Sequence, residues 1–160
     1  MIAPFVTDRI LYTIGHSSHP LERFLELLRL HDITTIADVR SVPQSRFAPQ
    51  FNQKNLKHSL IQIGCRYVFL GKELGGKRQE QECYSNGQID EEKVLALPIF
   101  LAGCERLLQE IGDCRVVLLC SEKEPAKCHR TYWISKALCH RLTIWHILAD
   151  GSTLTHEKHE

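Results

Sequence analysis

Arg115-Val116-Val117-Leu118-Leu119 is the most apolar short run in the chain, and its reading decides the fold. It is too short for a helix and apolar at both alternating positions, as a strand buried on both faces of a parallel sheet must be. Working outward, Leu97, Leu101, Cys104, Leu108 and Ile111 recur at steps of four and three, which predicts one long helix over residues 91–111, ended by Gly112. On the other side, Ile134, Ala137, Leu138 and Leu142 predict a helix over residues 125–142. The same reading predicts strands over residues 10–14, 35–39, 66–70 and 143–148. Helices are predicted over residues 20–31, from Leu21, Phe24, Leu25 and Leu28, and over residues 52–63, from Leu56, Leu60 and Ile63. Strand and helix therefore alternate throughout. That pattern predicts a Rossmann-like three-layer α/β/α fold with a mostly parallel sheet of about five strands, in a single domain over residues 1–151. Residues 152–160 read as a polar, fraying C-terminal tail. Residues 41–51 and 71–90 read as long polar loops, and loops of that length in a small domain tend to carry function.

Composition narrows the class. The 160 residues are 43% hydrophobic and 24% charged, which fits one ordinary globular domain and excludes a disordered or fibrous chain. Twenty Lys and Arg against nineteen Asp and Glu leave a net charge of +1, so no global field argues for or against nucleic acid. The longest apolar stretch, residues 94–103, is about half of a membrane span, so no membrane association is expected. The N-terminal MIAPFVTDRI lacks the basic and apolar regions of a signal peptide. Seven cysteines, an odd number with no C-x-x-C pair, exclude a zinc ribbon or thioredoxin motif and predict free thiols in a reducing cytoplasm.

In an open parallel sheet, ligands bind beyond the carboxyl ends of the strands. Polar and titratable types collect at those ends here. The first strand runs into Gly15-His16-Ser17-Ser18, and the second into Asp38-Val39-Arg40 and then Pro43-Gln44-Ser45-Arg46. The third runs into Gly71-Lys72-Glu73-Leu74-Gly75-Gly76, the fourth into Cys120-Ser121-Glu122 and then Cys128-His129-Arg130, and the fifth into Asp150-Gly151. His16 is suited to proton transfer near neutral pH. Ser17 or Ser18 is suited to capping the following helix. Asp38 and Arg40, two apart, face one side and form either an ion pair or an orienter beside an anion ligand. Ser121-x-x-Glu124 has the spacing of a capping box, which would set Cys128 and Arg130 near a helix N-terminus. Cys128 is then either a small packing residue or a nucleophile of lowered pKa. Gly75-Gly76, flanked by Lys72, Lys77 and Arg78, forms either a mobile flap or a solvated loop tip. Tyr67 and Tyr84 either stack on a base or pack. No dinucleotide fingerprint, phosphate-binding Walker loop or Cys-x5-Arg phosphatase loop is present.

Taken together, TIGHS, DVR, P-x-S-R, LGG, the LLC-S-E-x-x-P-x-x-CHR run and HI-x-x-DG resemble the family catalogued as domain of unknown function 488, over roughly residues 11–151. The resemblance implies a small, mostly bacterial or archaeal α/β domain and no particular reaction.

The expected function is a small enzyme acting on a phosphorylated or otherwise anionic ligand, such as a nucleotide or nucleic-acid moiety. His16 or His129 would move protons, and Asp38 and Glu122 would orient groups or activate water. Cys128 would be a reserve nucleophile. Ser17, Arg40, Ser45, Arg46, Gly75, Gly76 and Arg130 would hold the ligand. No cofactor is expected. One alternative is a non-catalytic nucleotide or nucleic-acid binding module. Another is a metal- or thiol-dependent enzyme drawing on Cys120, Cys128, His129, His16 and His146, although their spacing is not that of a zinc finger.

Overall fold

The computed structural model describes residues 9–112 and 114–156, with the backbone alone for residues 129–132. In chain order the elements are β1 (Ile10–Gly15), α1 (Leu21–Leu30), β2 (Thr35–Asp38), α2 (Gln53–Gln62), β3 (Arg66–Phe69) and α3 (Gly71–Leu74). They continue with β4 (Tyr84–Ser85), β5 (Gln88–Ile89), α4 (Glu91–Leu95), α5 (Pro98–Glu110) and β6 (Val116–Cys120). The last three are α6 (His129–Leu138), β7 (Thr143–Ile147) and β8 (Thr153–Thr155). The main sheet has six strands in the order β3-β2-β6-β1-β7-β8, parallel except for β8. The fold is a three-layer α/β/α sandwich.

The apolar run is the centre of that sheet. All five residues of β6 are buried, paired with β1 on one side and β2 on the other. Its side chains alternate between two apolar layers. Val116, Leu118 and Cys120 join Phe100 and Leu107 of α5 and Ile134 and Leu138 of α6. Val117 and Leu119 join Phe24, Leu27 and Leu28 of α1 and Leu56 and Leu60 of α2. Each fully buried Val or Leu contributes about 1.5–3 kcal/mol, so the two-sided burial of β6 is what binds the layers together.

Four expectations change. The helix predicted over residues 91–111 is two helices, because Pro98 has no N–H to continue a helix and Leu97 before it is extended at ψ 130°. The helix predicted from residue 125 begins as a single 3-10 turn, Pro125–Lys127, and becomes α-helical only at His129. Within the expected polar tail, Thr153–Thr155 pairs antiparallel with β7 as a sixth strand. Ladder pairing uses backbone groups, so a polar segment can close a sheet edge, and Gly151 at φ 91° permits the reversal that returns it. Residues 71–90 are also more ordered than a loop reading implies, holding α3, a 3-10 turn at Gln81–Cys83 and the β4–β5 hairpin. Among the described residues no helix is long and apolar enough to cross a membrane, and no disulfide joins any of the seven cysteines.

Candidate functional site

Chain direction sets where a crevice can form. β6 lies between β1 and β2, whose following helices cover the opposite face from α6. Adjacent strands thus send their chains to opposite sides, which opens the carboxyl edge at this point. The ends of β1 and β6 are closed tightly together. His16 donates its backbone N–H to Cys120 at 2.9 Å and Ser17 donates to Ser121 at 3.0 Å. A Cβ on Gly15 would stand 1.7 Å from the carbonyl oxygen of Glu122. Only glycine fits there.

His16 leaves this turn and is buried, stacked on Phe51 at 4.6 Å between ring centroids. Its Nδ1 lies 2.9 Å from the carbonyl oxygen of Ser17. Phe51 belongs to the segment that follows β2, so that segment roofs the end of β1. Gln50 ties the roof down by donating to the carbonyl of His19 at 3.0 Å.

About 10 Å away, two strand spacings across the sheet, Asp38 ends β2 with a carboxylate that is 0% exposed. It accepts from Arg40 Nε at 2.9 Å and Nη2 at 2.8 Å, from the Arg40 backbone N–H at 3.1 Å, and from the Tyr67 hydroxyl at 2.6 Å. The mutual ion pair is therefore the form that the Asp38-x-Arg40 pattern takes. Among the described residues nothing accepts from Arg40 Nη1. Burial, reinforced by the Asp38 carboxylate, pushes the Tyr67 phenol well above its ordinary range, so it stays a donor. Ile36 and Tyr67 belong to the α1/α2 layer, and alternation puts Asp38 on that side with them. His16, Asp38, Arg40 and Tyr67 thus lie at one edge of one layer, with Phe51 stacked on His16.

Beyond Arg40 the chain meets α3. A cleft of about 310 Å³ opens there, lined by Ser41, Phe69, Gly71, Lys72, Lys77 and Arg78 among others. Its walls are in close contact, since a Cβ on Gly71 would meet the Arg40 carbonyl at 2.0 Å and one on Gly75 would meet Ser41 Oγ at 2.2 Å. Arg78 is buried and committed, pairing with Glu80 at 2.8 Å and donating to the carbonyls of Glu73 and Gly75. Lys72 and Lys77 are exposed, and among the described residues no carboxylate pairs with either ammonium.

The remaining candidates divide. Ser17, at φ 46°, makes a turn and caps nothing, because Pro20 holds the position before α1 and no side chain caps the helix. Ser45 orders its own loop, accepting from the Phe47 N–H at 3.1 Å. Arg46 is exposed on that loop and contributes nothing to the buried cluster. Gly75 is buried as packing against Ser41 and Gly76 follows it half-buried, which fits a pinned turn better than a free flap. The Glu122 carboxylate accepts from the N–H of Glu124 at 3.3 Å, so it shapes its own turn. The capping box does not form: Cys128 itself precedes α6, with no side-chain cap. Cys128 is buried in the layer under α5 and α6, the packing alternative. His129 and Arg130 open α6, but their side chains lie outside the described residues. Among the described residues no three His, Cys, Asp or Glu side chains converge as cation ligands.

Three groups important to the cluster carry little signal in the sequence. Nothing in the sequence marks Phe51, Tyr67 reads as either stacking on a base or packing, and Lys77 reads as part of either a flap or a solvated loop tip. Tyr67 had one usable clue, since in a parallel register beside β2 it faces the same side as Asp38.

On the α5/α6 side of the sheet, His146 forms a second buried polar cluster. Its Nδ1 lies 2.6 Å from Thr13 Oγ1 and its Nε2 lies 3.3 Å from His156 Nδ1. Burial, and then the neighbouring His156, lower its pKa to about 4. The unfolded chain takes up this proton below about pH 6.5 while the folded chain resists it, so stability falls as pH drops from about 6.5 to 4. The expected loss is between about 1 and 3 kcal/mol across that window. Denaturation midpoints in urea should show it, and a His146→Gln variant should be flatter over the same range. An unchanged slope in the variant would assign the loss elsewhere.

With this geometry in place, comparison with known proteins adds one result. The family described as Domain of unknown function DUF488 matches residues 20–137. The chain belongs to this family. The matched span includes Asp38, Arg40, the cleft residues and Cys128, whereas His16 and His146 lie outside it. No curated protein and no solved structure matches significantly. The match thus spans the Asp38–Arg40 pair, and the family's description names no reaction.

Proposed function

We propose that the chain is a small enzyme that acts on a phosphorylated or otherwise anionic ligand at the carboxyl ends of the parallel strands. The observation that carries this reading is the buried Asp38–Arg40 ion pair at the end of β2, to which the half-buried Tyr67 donates its hydroxyl. An apolar group of the same size would hold that position at no desolvation cost, so a buried ion pair there is better explained by chemistry than by stability. Asp38 fixes the Arg40 guanidinium by two nitrogens, and a ligand oxygen can use Nη1. Lys72 and Lys77 supply the positive charge of the adjoining cleft. His16, under Phe51, is the proton carrier, and the ligand reaches it by displacing the segment that bears Phe51. The free thiols favour a reducing, cytoplasmic setting.

Thermal denaturation with inorganic phosphate, pyrophosphate and nucleoside phosphates tests the proposal. A ligand present at 100 times its Kd stabilises by about 2.7 kcal/mol. That gain should vanish in the Lys72→Gln/Lys77→Gln variant while its ligand-free stability stays within about 0.5 kcal/mol of the parent. Phosphorus NMR of the stabilising ligand then separates enzyme from binding module, because turnover changes the spectrum and binding alone leaves the ligand intact. The proposal fails if no phosphorylated ligand stabilises the protein, or if the lysine variant responds as the parent does.

A further inference from the structure

From residue 39 to residue 72 the chain contains no Asp or Glu, yet it carries Arg40, Arg46, Lys54, Lys57, Arg66 and Lys72. The whole chain has a net charge of only +1, so this fifth of the sequence concentrates the positive charge. It is also one structural unit, running from the end of β2 through α2 to β3, the outer strand of the sheet. Two of its cations are neutralised, Arg40 by Asp38 and Arg66 by Glu110 at 3.3 Å. Among the described residues no carboxylate pairs with Arg46, Lys54, Lys57 or Lys72.

Lys54, Lys57 and His58 occupy positions i, i+3 and i+4 of α2, so they share one face at spacings of about 5–6 Å. They line a shallow concavity with Asn55, Ser59 and Ile61, and Ile61 is 75% exposed. At the N-terminal end of this face the chain presents Phe47, which is 94% exposed. The loop that carries it is pinned to the start of α2. Ser45 donates its N–H to Asn52 Oδ1 at 2.8 Å, Gln53 donates its N–H to the Pro43 carbonyl at 2.9 Å, and Asn55 Nδ2 donates to the Pro49 carbonyl at 2.8 Å. The fold thus holds an aromatic ring in water beside Arg46, at the head of an acid-free basic face.

We infer that this face binds single-stranded nucleic acid. The cations on α2 and in the loop take the phosphates, and Phe47 takes the face of an unstacked base. Charge alone would suit any polyanion. The ring decides among them, because every base offers a π-face to an exposed aromatic and a paired duplex hides it. The balanced net charge confines the attraction to this face, which suits a single strand more than a long duplex. Of the residues tested, Lys57 alone touches the strand-end cluster, its ammonium lying 5.2 Å from the centroid of the Tyr67 ring; Lys72 and Lys77 test the one reading and Phe47, Lys54 and Lys57 the other, so the two fail separately.

Fluorescence anisotropy with a short labelled single-stranded RNA of mixed sequence, titrated at several salt concentrations, tests it. Binding should weaken linearly in log–log form with salt. The Lys54→Gln/Lys57→Gln variant should lower that slope by about 1.4, as the loss of two phosphate contacts on a single strand requires. Phe47→Ala should bind about tenfold more weakly with an unchanged slope, and Phe47→Trp should recover the parent affinity. The same RNA annealed to its complement should bind more weakly than the single strand. The inference is overturned if Phe47→Ala binds as the parent does, or if the duplex binds as tightly as the single strand. It is equally overturned if the lysine variant keeps the parent slope, or if vesicles of anionic phospholipid bind in place of RNA. All of the substituted side chains are solvent-facing, so unchanged thermal midpoints verify that the fold is intact.

Discussion

Asp38→Ala is expected to destabilise the protein by about 3–5 kcal/mol, a large share of the roughly 5–15 kcal/mol that holds a domain of this size together. The substitution leaves the Arg40 guanidinium 1% exposed with no carboxylate, and it removes the acceptor of the Tyr67 hydroxyl. A buried charge without its partner keeps its desolvation penalty and loses the attraction that offset it. Tyr67→Phe is expected to cost less, about 1.5–3 kcal/mol, because it removes one hydrogen bond to a charged group and leaves the ion pair whole. Urea denaturation at constant m-value measures both. The informative companion is Asp38→Leu/Arg40→Met, which removes both charges and retains volume. Its stability should return to near that of the parent, as apolar replacement of buried ion pairs commonly allows. If the double variant is stable but no longer stabilised by a phosphorylated ligand, the pair is present for binding. If it still responds to the ligand, the pair serves only the fold.

Gly15→Ala is expected to cost about 3 kcal/mol, at the upper end of what inserted volume costs in a packed interior. Gly15 does not adopt a positive φ, so backbone conformation is not the constraint. The constraint is space: the added methyl would stand 1.7 Å from a backbone carbonyl of the turn after β6. A carbonyl cannot swing aside as a side chain can. Moving it shifts residues 121–123 and breaks the hydrogen bonds from His16 and Ser17 that seam the two strand ends. Gly112→Ala is the matched control, since its Cβ would meet the nearest atom at an unstrained 3.4 Å, and it should change stability by less than about 0.5 kcal/mol. Equal losses in the two variants would mean that the β1–β6 seam relaxes freely.

The same seam shows why the site was only partly legible in the amino-acid order. Gly15, His16, Asp38 and Arg40 are recognisable because they follow apolar runs that can only be strands, and parallel strands present their carboxyl ends together. The partners that make them a cluster come from elsewhere. Phe51 arrives through a pinned loop and Tyr67 from the neighbouring strand, and neither spacing nor composition marks them. Arg46 and Glu122 also follow strand ends, but one lies exposed on its loop and the other turns back to its own backbone, so neither joins the buried pair.

Local chemistry determined the elements of this protein. The apolar run over residues 115–119, the helical spacing of Leu21, Phe24, Leu25 and Leu28, and the acid-free stretch over residues 39–72 are properties of neighbours in sequence, and they act before any tertiary contact forms. Tertiary structure alone decided the rest. It inserted β6 between β1 and β2, paired the polar Thr153–Thr155 with β7, and joined the buried Asp38–Arg40 pair to the Tyr67 hydroxyl. Those outcomes depend on which surfaces meet and which charges lose water together, and that free energy is shared among residues that the chain order keeps far apart.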